Sequence, residues 1–214
     1  MNKDVKRRPP LWLQNVLKLD EDFSKKIVNW ADSWAPLHSL RLHYKALEIT
    51  CHGIPWLASW IAFIWLFDNP SLVPLQVNVI FALILDIVFV ALLKAYFRRR
   101  RPTENINDAF AEIGPDQYSF PSGHCSRAAL ITFIFMGLWP IPIWFQPSLL
   151  AWTVAICISR LLMKRHNLLD VIGGILLGIV EGAILMAIWI PDEQARWFVG
   201  SITHAKEDGT ELDS

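Results

Sequence analysis

Five apolar stretches dominate this chain of 214 residues, at roughly 47–67, 75–93, 123–139, 147–163 and 168–190. A helix that crosses the hydrocarbon core of a bilayer needs about 20 mostly apolar residues. The expected fold class is therefore all-α: an integral membrane helical bundle of about five transmembrane spans. The third and fourth stretches are the shortest and are flanked by Pro140, Pro142 and Pro147. A 53% hydrophobic content with 11 Trp and 12 Phe excludes a disordered or collagen-like chain, and the length suits one domain. Lys and Arg, 20 together, balance 20 Asp and Glu, which argues against a uniformly basic nucleic-acid binder. Cys51, Cys125 and Cys157 are too few for a disulfide framework and lie in or beside apolar stretches. Residues 1–10 are basic, but no apolar core follows directly, so no cleavable secretory signal is expected.

Ahead of the first stretch, Trp12, Val16, Leu19, Phe23, Ile27, Trp30 and Trp34 recur at steps of three or four. They form one stripe of an amphipathic helix whose other face carries Lys18, Asp20, Glu21, Asp22, Lys25 and Lys26. Tryptophan favours the headgroup level, so the reading is an amino-terminal helix lying in the membrane interface. The alternative is a helix packed on a partner protein. The chain thus divides into a basic amino terminus with an interfacial helix (1–46), a transmembrane domain (47–190) and an acidic, disordered tail (191–214). Connections 68–74 and 140–148 are short and free of Lys and Arg, whereas 94–121 is long, polar and carries Arg98, Arg99, Arg100 and Arg101. A loop of that length in a compact domain is usually functional.

Alternating crossings bring the end of the second span, the start of the third, the end of the fourth and the start of the fifth to one membrane face. Lys94 and Arg101, then Ser122, Gly123 and His124, then Arg160, His166 and Asp170 converge there. Three cations, two imidazoles, a hydroxyl and a carboxylate describe an anion-handling site. Phosphate is the obvious anion, because guanidinium forks and a helix N-terminus suit its oxygens. Below this mouth Gly174, Gly178 and Gly182 continue the His166–Asp170 face at steps of four, a pattern that lets helix backbones approach closely in lipid.

The same residues make three sequence blocks. Lys94 through Pro102 fits K-x6-R-P, residues 121–124 read P-S-G-H, and Ser159 through Asp170 fits S-R-x5-H-x3-D. In this order they resemble the type 2 phosphatidic acid phosphatase superfamily, which comprises lipid phosphate phosphatases and vanadium haloperoxidases. The resemblance spans about 47–190. Residues 47–56 and 94–130 look further like the animal polyisoprenoid diphosphate phosphatase branch, whose substrates include presqualene diphosphate. Family members usually have six spans, against the five counted here.

The resemblance implies a metal-independent phosphatase without a cofactor. Neutral His166 would attack phosphorus and form a phosphohistidine, with Asp170 accepting a hydrogen bond from its other ring nitrogen. Lys94, Arg101 and Arg160 would hold the phosphate oxygens, and Ser122 and the Gly123 N–H would add donors at a helix start. His124 would protonate the leaving oxygen as general acid. The implied substrates are membrane lipid phosphates or diphosphates, with isoprenoid diphosphates such as presqualene or farnesyl diphosphate favoured. Phosphatidate, lysophosphatidate and sphingoid phosphates are the alternatives, and a catalytically silent membrane scaffold is the competing class. A haloperoxidase is disfavoured, because five spans and a short chain suit a lipid substrate better. The partners are the lipid substrate and the bilayer, not nucleic acid, and a homo-oligomer is compatible with the chain.

Other polar residues have plainer readings. Arg98, Arg99 and Arg100 read as a membrane-surface patch, and residues 20–22 as a solvated helix face rather than a metal site. Arg127 either lines the pocket or does not. Asp86 and Glu181 lie inside spans, where an ionisable group is functional by default, but nothing in the sequence names their partners. His52 reads as a structural contact, and His38, His43 and His204 as solvated. Basic residues crowd the catalytic face and the amino-terminal segment, so the positive-inside rule turns the mouth to the cytoplasm, in the endoplasmic reticulum or nuclear envelope.

Overall fold

The computed structural model describes residues 10–34, 41–66, 69–102, 117–197, 199 and 200. The basic residues 1–9, His38, His204, the middle of the 94–121 connection and the acidic end of the tail lie outside the described residues. Among the described residues these main helices follow one another: α1 (Leu11–Asp32), α2 (Arg41–Thr50), α3 (Gly53–Leu66), α4 (Val73–Phe97), α5 (Gly123–Phe133), α6 (Gln146–Leu162) and α7 (Leu168–Ala187). A short 3-10 turn, Pro70–Leu72, leads into α4, and α5 runs on as a π-turn over Ile134–Leu138. Among the described residues there is no strand, only an isolated antiparallel bridge between Arg100 and Tyr118.

Two helices are long and apolar enough to cross a membrane, Pro70–Phe97 and Leu168–Ala187. The first apolar stretch is not one straight helix: α2 and α3 meet at a bend of 55°, and only together do they qualify as a third. Gly123–Leu138 and Gln146–Leu162 are apolar but shorter. At about 1.5 Å per residue, the 17 residues of α6 reach on the order of 25 Å, short of a 30 Å hydrocarbon core. By length and composition the described residues therefore hold two such helices, or three if the bent pair is one span, against about five expected. The start of the tail also departs from expectation, since residues 192–197 are helical, Ala195 is buried and Arg196 pairs with Asp192 at 2.8 Å.

The centre of the bundle is the pair α5 and α7, the most extensive helix contact in the molecule. Its cause is on the page of the sequence. A Cβ on Gly174 would meet the Ser122 carbonyl at 2.4 Å, and one on Gly178 would meet the Ser126 carbonyl at 2.2 Å. Only a bare Cα lets the backbones come this close. Around the pair, Leu75, Val79, Ala82 and Leu83 of α4 pack on Leu130, Ile131, Ile134 and Leu185, with Trp56 and Trp60 of α3 against them. Cys125 and Cys157 join α5 to α6, and all three cysteines are free and buried. Outward-facing Ile61, Trp65, Leu92, Ile158, Leu176 and Val180 remain exposed, as a lipid-facing surface requires.

Two ionisable groups inside the bundle acquire partners that the sequence did not name. Asp86 on α4 pairs with Arg127 on α5, and Arg127 also donates to the Cys51 carbonyl at 3.0 Å. Glu181 on α7 accepts from the Ser126 hydroxyl at 3.1 Å. Arg127 is thus part of an internal polar layer, because a cation buried in apolar surroundings needs a carboxylate to offset its desolvation.

The α5–α7 contact is directly testable. Gly178→Ala should lower the melting temperature of the protein in detergent by an amount corresponding to about 1–3 kcal/mol or more, the cost of overpacking a close backbone contact. Gly137→Ala, where a Cβ meets nothing within 4 Å, should be near neutral in the same measurement.

Candidate functional site

α4 ends at Arg98, which adopts a left-handed conformation (φ 49°) while its N–H closes on the Lys94 carbonyl at 3.0 Å. That turn sends Arg99 and Arg100 back across the mouth beside the strip that precedes α5, where Ser119 N–H donates to the Arg99 carbonyl at 2.8 Å. A second left-handed residue, Lys164 (φ 57°), reverses the chain between α6 and α7 and delivers His166. Asn167 and Asp170 then form a capping box: the Asn167 side chain accepts from the Asp170 N–H, and Asp170 Oδ2 accepts from the Asn167 N–H at 2.8 Å. The Ser122 N–H donates to the Asp170 carbonyl at 3.0 Å, so the starts of α5 and α7 are joined.

The sequence-predicted residues do come together. Lys94, Ser122, Arg160, His166 and Asp170 are all buried. Arg101, Lys94 and Arg160 each act electrostatically on His166, and Arg160 and His166 act in turn on His124. Burial, with the positive charges of Arg101, Lys94 and Arg160 behind it, holds the His166 imidazole well below the ordinary histidine range. Its Nδ1 lies 2.9 Å from the Ser119 carbonyl. A carbonyl only accepts, so Nδ1 carries the hydrogen and Nε2 keeps its lone pair. His124 Nε2 is buried with no hydrogen-bond partner among the described residues, at the first turn of α5, where helix N–H groups are free to meet an anion. His52 lies edge-on to His124, ring centroids 6.0 Å apart.

The sequence reading needs four corrections. Asp170 is not the hydrogen-bond partner of His166: its Oδ2 is 3.9 Å from Nδ1, and its oxygens are committed to Asn167 and Arg99. The carbonyl of Ser119 fills that place. Arg99 is no surface patch, for it donates to Asp170 Oδ1 at 2.8 Å and pairs also with Asp20. Asp20 is not solvated but buried. Glu48, missed altogether, is buried between Arg165 at 2.9 Å and Arg160 at 3.5 Å and offsets part of the site's positive charge. Two signals were readable: an acid inside an apolar stretch needs a cation, and Asn167-Leu-Leu-Asp170 has the spacing of a capping box. Among the described residues, no three His, Cys, Asp or Glu side chains are grouped as metal ligands.

The three sequence blocks meet at one end of an all-helical bundle. The family model for the PAP2 superfamily matches residues 76–193, and the chain belongs to that superfamily. It is 30% identical over 150 residues to a probable lipid phosphate phosphatase beta of Arabidopsis thaliana, covering 58% of this chain and 70% of that protein. The fold is similar to that of Aquifex aeolicus LpxE, with a TM-score of 0.55 and 23% identity over 80% of this chain and 94% of the other. It is similar also to the first transmembrane PAP2-type phosphatidylglycerolphosphate phosphatase of Bacillus subtilis to be solved as a crystal structure. There the TM-score is 0.56, with 22% identity over 81% of this chain and 86% of the other.

Because burial and neighbouring cations lower its pKa, His166 should stay neutral as pH falls through 6.5, where an ordinary imidazole is half protonated. Ring nitrogen-15 NMR of histidine-labelled protein at pH 6 should show His166 unprotonated. A midpoint at or above 6.5 would refute this.

Proposed function

We propose that this chain hydrolyses membrane lipid phosphates or diphosphates without a metal ion, through a phosphohistidine on His166. The observation that carries the reading is the meeting of Lys94, Arg101 and Arg160 around one buried, neutral imidazole whose Nδ1 is tied to the Ser119 carbonyl. Nε2 attacks phosphorus in line with the leaving oxygen. The three cations, the Ser122 hydroxyl and the Gly123 N–H hold the equatorial oxygens, whose charge grows in the five-coordinate transition state. His124 gives its proton to the leaving oxygen, and water then opens the phosphohistidine. Asp170 acts by holding Arg99 and the first turn of α7 in place.

Isoprenoid diphosphates are the favoured substrates, on the resemblance of residues 47–56 and 94–130 to the polyisoprenoid diphosphate phosphatase branch. Purified protein in detergent, offered farnesyl diphosphate, phosphatidate, lysophosphatidate and a sphingoid phosphate, should release phosphate fastest from the diphosphate. His166→Ala should abolish release, and Asp170→Asn should lower it by a smaller factor, on the order of 10–100-fold. Release should persist in excess chelator and be inhibited by vanadate, which mimics five-coordinate phosphorus. Near-normal release by His166→Ala, or a loss on chelation restored by magnesium, would refute the mechanism.

The basic bias of the catalytic face supports a mouth turned to the cytoplasm, in the endoplasmic reticulum or nuclear envelope. Trp144 lies in the turn at the far end of α5 and α6 and is exposed. With the native cysteines buried, a Trp144→Cys variant should resist thiol reagents until the inner membranes are opened. Labelling with only the plasma membrane permeabilised would reverse the orientation.

A further inference from the structure

The apolar stripe of α1 faces away from the bundle, with Trp12 66%, Leu19 68% and Trp30 63% exposed. The opposite side, Asp20, Ser24, Val28 and Ala31, is buried. This helix is therefore docked on the protein through a seam in which Asp20 and Ser24 are buried beside Val28 and Ala31, a costly arrangement unless each polar group is satisfied. Each main group is. The first two N–H groups of α7, which have no partner within their own helix, donate to α1: Leu168 N–H to Ser24 Oγ at 2.9 Å and Leu169 N–H to Asp20 Oδ1 at 3.0 Å. The third, Asp170 N–H, is taken by Asn167. The N-terminus of the helix that follows His166 is thus capped in trans by a helix from the other end of the chain.

Arg99 fastens this seam to the site. One arm of its guanidinium holds Asp170 Oδ1 and the other holds Asp20 Oδ2. Its carbonyl accepts from Ser119 N–H and Oγ–H, and the Ser119 carbonyl in turn holds His166 Nδ1. One residue therefore connects α1, the carboxylate after the nucleophile and the strip that orients the nucleophile. A small cavity opens beside His166, and α1 supplies one wall of it through Ser24, Lys25 and Asn29, facing Pro102 and Lys164.

We propose that α1 is a working part of the catalytic site, and that Asp20 and Arg99 are positioning residues which hold the His166 turn in register through the Asp20–Arg99–Asp170 bridge. The proposal rests on the catalytic reading of His166. The bridge carries charge on both flanks of one guanidinium fork, a geometry that two carboxylates and an arginine satisfy and that a lysine, with a single point charge, would not. Since α1's apolar stripe is left for the bilayer and its polar seam for the site, displacement of α1 moves the first turn of α7. A misplacement of about 1 Å at a reacting group can cost on the order of 100-fold in rate.

The test uses the full chain in detergent with farnesyl diphosphate as probe and phosphate release as readout, comparing kcat and KM. Asp20→Ala and Arg99→Gln should each lower kcat by about 10–100-fold while KM stays within about twofold, because the bridge touches positioning rather than binding. Asp20→Asn, whose amide oxygen still accepts from Leu169 N–H, should fall between Asp20→Ala and the unaltered protein. The double variant Asp20→Asn/Arg99→Gln should be no worse than Arg99→Gln alone, since the amide oxygen keeps the Leu169 N–H bond and both changes break one bridge. Asp22→Ala, on the exposed side of α1, should match the unaltered protein. Unchanged kcat in Asp20→Asn, the variant least able to disturb folding, or losses that multiply in the double variant, would overturn the bridge while a silent His166→Ala left the catalytic reading standing. Phosphate release that survives His166→Ala would overturn the catalytic reading itself.

Discussion

Gly174 and Gly178 let the backbones of α5 and α7 touch, and the geometry of the site follows from that contact. With the Ser122 carbonyl where a Cβ on Gly174 would stand, the Ser122 N–H reaches the Asp170 carbonyl and the two helix starts share one level. His124, one residue into α5, and His166, just ahead of α7, are then held on the same floor. Neither helix could be rotated or lifted by a turn without driving a carbonyl into a Cα. A site assembled from four helix ends owes its common plane to two residues that carry no chemistry.

Charge imposes the second constraint. The mouth gathers cations that repel one another, and the surrounding bundle offers little water to screen them. Carboxylates are set among them at fixed stations: Glu48 between Arg160 and Arg165, Asp170 and Asp20 on either arm of Arg99, Asp86 against Arg127. Burial, with Arg101 and Lys94 beside it, favours the neutral form of the His166 imidazole. The charged groups divide into the cations around His166 and the carboxylates that hold neighbouring cations in place, and most of both kinds are buried.

Much of this was legible beforehand. The three blocks, by their resemblance to the family's signature, named Lys94, Arg101, Ser122, Gly123, His124, Arg160, His166 and Asp170, and the four-residue steps of Gly174 and Gly178 announced a close helix contact. The stripe from Trp12 to Trp34 announced α1 and its outward face. What the pattern hid was partnership. Arg99 stands in a run of four arginines that look alike in sequence, and only the left-handed turn at Arg98 separates its fork from theirs. Asp20 opens a run of three acids, yet it alone of the three is buried on the side of α1 that meets α7.

Local sequence determined the helices, because hydrophobic runs and helical periodicity act over a few residues, and it determined which polar side chains stand at the helix ends that meet around His166. It did not determine how many runs cross a membrane, since helix length depends on where Pro140, Thr50 and His52 interrupt the chain. Nor did it determine who holds His166. The spacing of one helical turn suggested Asp170, but a ring nitrogen binds whichever acceptor is nearest in space, and tertiary packing brought the Ser119 carbonyl, 47 residues away, to 2.9 Å while leaving the carboxylate at 3.9 Å. Side-chain pairing is decided by distances of a few tenths of an ångström between segments remote in the chain, and only the folded bundle sets those.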